Sequence, residues 1–347
     1  MLVCKAVTFF AVIFQMRSIG YNSFDSSLHL QTDTEKPSLK EGDVLIKVEA
    51  AGVNRLDLIQ VGGKFPPPQG ESDILGVEVA GTVVEMTQTA SEQTSLKTGD
   101  RVMALVGGGG YAEFCRAPYQ VVMAVPEGVT WTEAAGIPEN YLTAYQALVW
   151  NGRLKDGETV LIHAGGSGVG MAAAQLAKNL CKGVQVIVTA GSDEKLSVCK
   201  ENGADFGINY KTDNFALEVM KFTNNKGADV ILDFVGAPYW EKHSQCVAID
   251  GRIIHLGFLG GSVLEKANLG VELKKRVTHF FSTLRSRSLE YRGELVKQFA
   301  RDTLPLFSAG SAKVRVDSVH SAENATLAHT RMRENKNIGK IIITMTT

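Results

Sequence analysis

Residues 159–178, T-V-L-I-H-A-G-G-S-G-V-G-M-A-A-A-Q-L-A-K, leave this chain few folds to choose from. Val160, Leu161 and Ile162 form a short apolar run rich in β-branched residues. Gly165, Gly166, Gly168 and Gly170 follow within six positions. Behind them Val169, Ala172, Ala173, Leu176 and Ala177 recur at helical spacing. The pattern reads as strand, glycine turn, helix. Such a turn brings backbone close to a pyrophosphate, with the N–H groups and dipole of the helix N-terminus facing its charge. Ser167 stands where it caps that helix and faces such a ligand. The spacing is G-x-x-G-x-G (Gly165, Gly168, Gly170) rather than G-x-G-x-x-G. A tight turn with no ligand is the competing reading.

The surroundings of this stretch decide the fold class. Tyr141 to Trp150 has helical periodicity ahead of it. After it come a strand, Val184 to Thr189, a helix, Glu194 to Asn202, stopped by Gly203, and a strand, Phe206 to Tyr210. A helix over 215–223, a strand over 229–235, a helix over 239–249 and a strand over 252–256 continue the alternation. Strands alternating with helices imply βαβ units and an α/β, Rossmann-type doubly wound parallel sheet. Its ligand crevice lies at the C-terminal ends of the strands, at Ala164, Ala190, Tyr210, Val235 and Gly257.

Residues 17–138 read differently, as short strands and turns of a small, partly open β-barrel. Beyond 277 a helix, Leu289 to Leu304, and a last strand, Ile338 to Thr344, are expected, and that strand is free to return to the first domain. Two lobes with a cleft between them follow, 1–138 with 277–347 and 139–276.

Composition narrows the functional classes. A chain of 347 residues suits about two domains. A net charge of −1 gives no electrostatic footing for nucleic acid. The five cysteines show no C-x-x-C spacing, which indicates neither a zinc site nor a disulfide framework and fits a cytoplasmic setting. No segment reaches transmembrane length. The apolar run after Lys5 reads as a first β-strand, with an extension ahead of Met16 or a secretory signal as alternatives.

The second strand of a dinucleotide-binding unit often ends in an acid that bonds a ribose 2′-hydroxyl. Here it ends Thr189-Ala190-Gly191-Ser192, with Lys195 one turn on. Small residues at Gly191 and Ser192 leave room for a 2′-phosphate, and Lys195 supplies charge. Asp193 and Glu194 are read as capping the helix N-terminus, with a ribose contact as the alternative. Tyr210 either contacts a ligand at this edge or is a half-buried strand tyrosine. His163 is read as a satisfied strand residue, not a base.

Several segments carry a specific resemblance. They are A-A-G-V-N-R-L-D-L-I-Q (50–60), P-P-P-Q-G-E-S-D-I-L-G-V-E (66–78), V-M-A-L-V-G-G-G-G-Y-A-E-F (102–114) and A-A-G-I-P-E-N-Y-L-T-A-Y-Q (134–146). V-L-I-H-A-G-G-S-G-V-G (160–170), Y-W-E-K (239–242), L-R-S-R (284–287) and E-N-K-N-I-G-K-I (334–341) continue it. With these the chain resembles the zinc-independent quinone oxidoreductases of the medium-chain dehydrogenase/reductase superfamily. The resemblance implies a GroES-like catalytic domain beside the Rossmann domain, NADPH as cofactor, and a homodimer. It implies that Asn54 and Thr143 lie beside the nicotinamide and substrate, and that Val169, Val235, Gly257 and Asn335 contact the cofactor. Zinc-dependent relatives carry a cysteine ligand where Asn54 stands and a histidine where Val77 stands, and a four-cysteine lobe absent here. No metal site is therefore expected.

The chemistry that follows is hydride or electron transfer from NADPH to a quinone, an acceptor that needs no metal to activate it. The Asn54 amide is the expected donor to a developing oxyanion. Phe65 replaces a tyrosine common in similar enzymes. It can stack on a quinone but cannot donate a hydrogen bond. Reduction of an enone or enoyl thioester is the alternative activity, and an NADPH-binding protein without turnover is the alternative of another class.

Overall fold

The computed structural model describes residues 15–345, so the N-terminal apolar run and its three readings lie outside the described residues. The description begins with a two-stranded antiparallel ribbon, β1 (Gln15–Tyr21) and β2 (Leu28–Glu35). The spine of the first lobe is β3 (Asp43–Gly52), where Val44, Leu45, Ile46, Val48, Ala50 and Ala51 are all buried. Antiparallel neighbours build outward from it: β4 (Glu78–Met86), β5 (Arg101–Leu105), β6 (Phe114–Pro118) and β7 (Val122–Ala124). The pattern of short strands joined by turns thus gives the GroES-like lobe.

The second lobe is a six-stranded parallel sheet. Its members are β8 (Thr159–Ile162), β9 (Gln185–Ala190), β10 (Phe206–Asn209), β11 (Ala228–Asp233), β12 (Val247–His255) and β13 (Thr278–Phe281), in the order β10-β9-β8-β11-β12-β13. β8 and β11 are buried along their whole length, as strands covered by helices on both faces must be. Order reverses at β8, so the crevice opens where the glycine turn leaves that strand.

Three expectations need correction. The parallel sheet does not end at residue 276, because β13 pairs in parallel with β12 from Arg252↔Thr278 to His255↔Phe281. The helix expected over 239–249 stops at Cys246, where Val247 turns to extended backbone and enters β12. The segment after Tyr145 relaxes from α-helix to π-helix over Gln146–Asn151. The long helix Leu289–Ser308, capped by the Ser288 hydroxyl, leads back to the first lobe. There β14 (Val316–Ser321) pairs with β15 (Lys340–Thr344), and β15 lies antiparallel to β3, with Ile342 opposite Gly52. The last strand closes one sheet from both ends of the chain, and it carries Lys340 to the wall between the lobes.

Candidate active site

The glycine turn folds as its composition dictates. Ser167 takes extended backbone and its hydroxyl accepts the Gly170 N–H at 3.0 Å, capping helix Gly168–Leu180. Such a cap is worth about 1 kcal/mol. The glycines divide their work. A Cβ on Gly165 would lie 2.6 Å from the Val188 Cβ, and one on Gly170 would strike the Ala164 carbonyl. These two let helix and sheet meet, and they sit behind the wall. Gly166, Ser167, Gly168 and Val169 are on the wall of a cleft of about 460 Å³ between the lobes. A Cβ on Gly168 would run into the Asn140 amide across that cleft. The Gly339 N–H donates to the Gly166 carbonyl at 2.9 Å and ties the C-terminal segment to the turn.

One end of the cleft is the edge formed by β9 and β10. Gly191, Lys195 and Tyr210 line it, with Tyr210 45% exposed. Ser192 does not, because its hydroxyl accepts the Lys195 N–H at 3.3 Å and caps helix Asp193–Glu201. Asp193 and Glu194 fall in that helix's first turn, as expected. The Lys195 ammonium donates to the Asn335 carbonyl at 2.6 Å, and partial burial lowers its pKa. Asn335 also lines the cleft, and its side-chain oxygen accepts Arg55 Nη2 at 2.6 Å. Lys211 stands near the same edge, its Cε 3.3 Å from where a Gly191 Cβ would be.

Val235 lines the middle of the cleft, whereas Gly257 lies outside its lining. Asp233 at the end of β11 fixes that stretch by accepting the Val235 N–H (2.8 Å) and the Gly236 N–H (3.1 Å) on Oδ1 and His255 Nδ1 (2.9 Å) on Oδ2. His163 is fully buried. Its ring nitrogens meet Thr189 Oγ1 and His243 Nε2, each at 2.9 Å, and burial pushes it down to about 4. It is a neutral core histidine.

The other end is a floor of buried, paired charges. Lys340 (3% exposed) forms an ion pair with Glu78 (0%) and donates to Asn54 Oδ1 at 2.8 Å. The Asn54 amide nitrogen donates to Glu78 Oε1 at 2.9 Å and to the Gly52 carbonyl at 3.2 Å. Asn54 does reach the cleft, but both its donor hydrogens are already engaged in this arrangement. That counts against its expected service as a free oxyanion donor. Among the described residues Lys340 has two acceptors, so one of its three N–H groups is open to a ligand. The space is closely fitted, since a Cβ on Gly52 would lie 2.6 Å from Lys340 Cε and 2.7 Å from the Ala135 carbonyl.

Asp57 and Glu139, like Glu78, lie behind the cleft lining that Asn54 and Lys340 reach. Asp57 accepts the Asn54 N–H (2.7 Å), the Tyr111 hydroxyl (3.1 Å) and the Gly76 N–H (3.3 Å), and burial pushes its carboxyl up to about 6. The Glu139 N–H donates to Glu78 Oε2 at 2.8 Å, while its own carboxyl is pushed up to about 8 by burial and by Glu78. The other two expected catalytic residues stand back from the cleft lining. Thr143 is half-buried on helix Pro138–Tyr145. Phe65 is 43% exposed, and its carbonyl accepts from Arg285 at 3.4 Å.

The floor residues Glu78, Lys340, Asp57 and Glu139 were not picked out as site residues in the sequence. A signal for two of them exists. Glu78 and Lys340 each open a strand immediately ahead of an apolar run, and a charge at the buried end of a strand must find a partner. Nothing in the sequence pairs them with each other.

Two family models match the chain. Residues 40–127 match the alcohol dehydrogenase GroES-like domain and residues 168–301 the zinc-binding dehydrogenase domain. The synaptic vesicle membrane protein VAT-1 homolog of Rattus norvegicus is 32% identical over 339 residues, covering 93% of this chain and 82% of that one. A quinone oxidoreductase of Pseudomonas aeruginosa is 31% identical over 302 residues, covering 87% and 90%. This chain belongs to the medium-chain dehydrogenase/reductase superfamily. A mycobacterial structure complexed with NADPH superposes on it with a TM-score of 0.83 at 28% identity, covering 95% of this chain and all of that one. The superfamily is wide enough to include zinc enzymes. Here, among the described residues, no group of three or more histidine, cysteine, aspartate or glutamate side chains is arranged to hold a metal ion. No helix among them is long and apolar enough to cross a membrane.

Proposed function

We propose that this chain is an NADPH-dependent quinone oxidoreductase that works without zinc. The observation carrying the proposal is the pairing of two ends of one cleft. A glycine cradle with two lysines beside it lies at one end, and a buried Lys340–Glu78–Asn54 floor without a metal-ligand set lies at the other. The cradle suits a dinucleotide, because Gly166 and Gly168 put backbone on the cleft wall beside a capped helix N-terminus. When bound, the cofactor supplies hydride. Ser167 and the N-terminus of its helix face the pyrophosphate, and Gly191, Lys195 and Tyr210 border the adenosine ribose. Val235 and Asn335 hold the cofactor between them. Lys195 and Lys211 favour a 2′-phosphate, hence NADPH over NADH. Lys340 presents its open N–H to the acceptor, and Asn54 keeps that ammonium in place.

The named relatives support a quinone as acceptor, through the Pseudomonas aeruginosa quinone oxidoreductase. Phe65 and Thr143 belong to the acceptor side in this reading, Phe65 as a stacking surface. The edge strand β13 lies open with Phe281 59% exposed, which suits a homodimer formed along it. The described cysteines, Cys115, Cys181, Cys199 and Cys246, are all free thiols, which suits the cytoplasm.

The test is a screen of the purified protein for oxidation of NADPH and NADH by quinones and by enones. Turnover with quinones and preference for NADPH are expected. Equal use of the two nucleotides would remove the cofactor assignment. Turnover with enones alone would replace quinone reduction by enone reduction.

A further inference from the structure

Glu139 lies at the start of helix Pro138–Tyr145, next to Asn140 on the cleft wall. Its main-chain N–H is bonded to Glu78 Oε2, which presses this turn against the floor. Its carboxyl is not so engaged. Oε2 is buried and, among the described residues, has no hydrogen-bond partner.

The neighbouring acids differ. Glu78 accepts from Lys340, Asn54 and Glu139, and Asp57 accepts three hydrogen bonds. An ionised Glu139 would have a buried oxygen with no donor, which is costly. Four charged groups act on it from four elements. Glu78 on β4 and Asp57 on helix Arg55–Val61 repel its charge, while Lys340 on β15 and Arg285, between β13 and the long helix, attract it. Burial and Glu78 outweigh the cations, so the carboxyl keeps its proton at neutral pH. A protonated carboxyl has an O–H to donate, and Oε2 has no acceptor among the described residues. It is an acid stored one residue from Asn140, which lines the cleft.

We propose that Glu139 is the general acid of the reduction, giving its carboxylic proton to the acceptor oxygen. The proposal rests on the reductase reading above. The acceptor receives a hydride, two electrons and one hydrogen nucleus, from the reduced nicotinamide, which is oxidised. Negative charge collects on the acceptor oxygen. The Glu139 O–H bond breaks and an O–H bond forms on that oxygen, so the acceptor gains two hydrogens in all. Glu139 is left as a carboxylate attracted by Lys340 and Arg285, and a proton from water restores it.

The experiment compares the parent protein with Glu139→Gln and Glu139→Asp, using NADPH with phenanthrenequinone and, separately, hexenal. Glu139→Gln keeps the shape and loses the proton. Its kcat is expected to fall about 100-fold while its Kd for NADPH is unchanged. The parent should lose kcat/KM as pH rises through about 8, because the acid form is the active one. Glu139→Gln should lack that fall, and Glu139→Asp should recover part of the rate. A readout without turnover is infrared titration of the ligand-free protein. A protonated-carboxyl band that disappears near pH 8 is expected in the parent and absent from Glu139→Gln. An active parent whose Glu139→Gln variant keeps its rate and pH profile would overturn Glu139 alone. So would a parent with no such band. A parent inert toward both acceptors would overturn the reductase reading itself, and Glu139's role with it.

Discussion

The two ends of the cleft are built on opposite physical principles. At the nucleotide end backbone does the work, and the side chains that matter are small, or charged and at most partly buried. At the floor side chains do the work, and they are charged, buried and mutually dependent. The contrast teaches where a protein of this kind is tolerant. The nucleotide edge can be retuned one residue at a time, because water screens its charges. The floor cannot, because removing one partner strands another charge away from water.

Lys340→Met is the sharpest way to break that contrast. It leaves Glu78 buried without its cation, and a loss of about 3–5 kcal/mol in unfolding free energy is expected. Denaturant unfolding measures it, and the Lys340→Met/Glu78→Gln double variant should recover part of the loss. A cost below about 1 kcal/mol, the level of a surface pair, would mean that the floor is not a coupled unit. Lys195→Ala comes next. It should leave stability within about 0.5 kcal/mol and weaken NADPH by about 2 kcal/mol, the worth of a hydrogen bond to a charged group. NADH binding should be unaffected. An equal loss for both nucleotides would place Lys195 away from the 2′-position. Phe65→Tyr is the mildest. A new hydrogen bond of about 1 kcal/mol should shift kcat/KM among quinones without moving the affinity for NADPH. A shift in NADPH affinity instead would take Phe65 off the acceptor side.

The same contrast explains what was legible in the sequence. The glycine turn, its capping serine and the alternation of strand and helix are local patterns, and local patterns predicted the parallel sheet and the cradle. Ser167 and Ser192 both cap a helix, and only the first also lines the cleft, a difference that no local pattern carries. Asn54 lines the cleft, but side-chain partners of it come from β4 and from the far end of the chain. Lys340 lies 286 residues from Asn54, and no spacing rule reaches that far. The extent of the parallel sheet was missed for a related reason. β13 is a four-residue edge strand whose place is set by pairing with β12, not by any pattern of its own.

The bond from Lys195 to the Asn335 carbonyl has one more consequence. Lys195 belongs to the nucleotide-binding lobe, and Asn335 to the segment that leads into β15. The ammonium best placed to greet a third phosphate is thus already a rivet between the lobes. With two further N–H groups the same nitrogen can hold an anion without letting go of Asn335, so a ligand bound there would be fastened to both lobes at once.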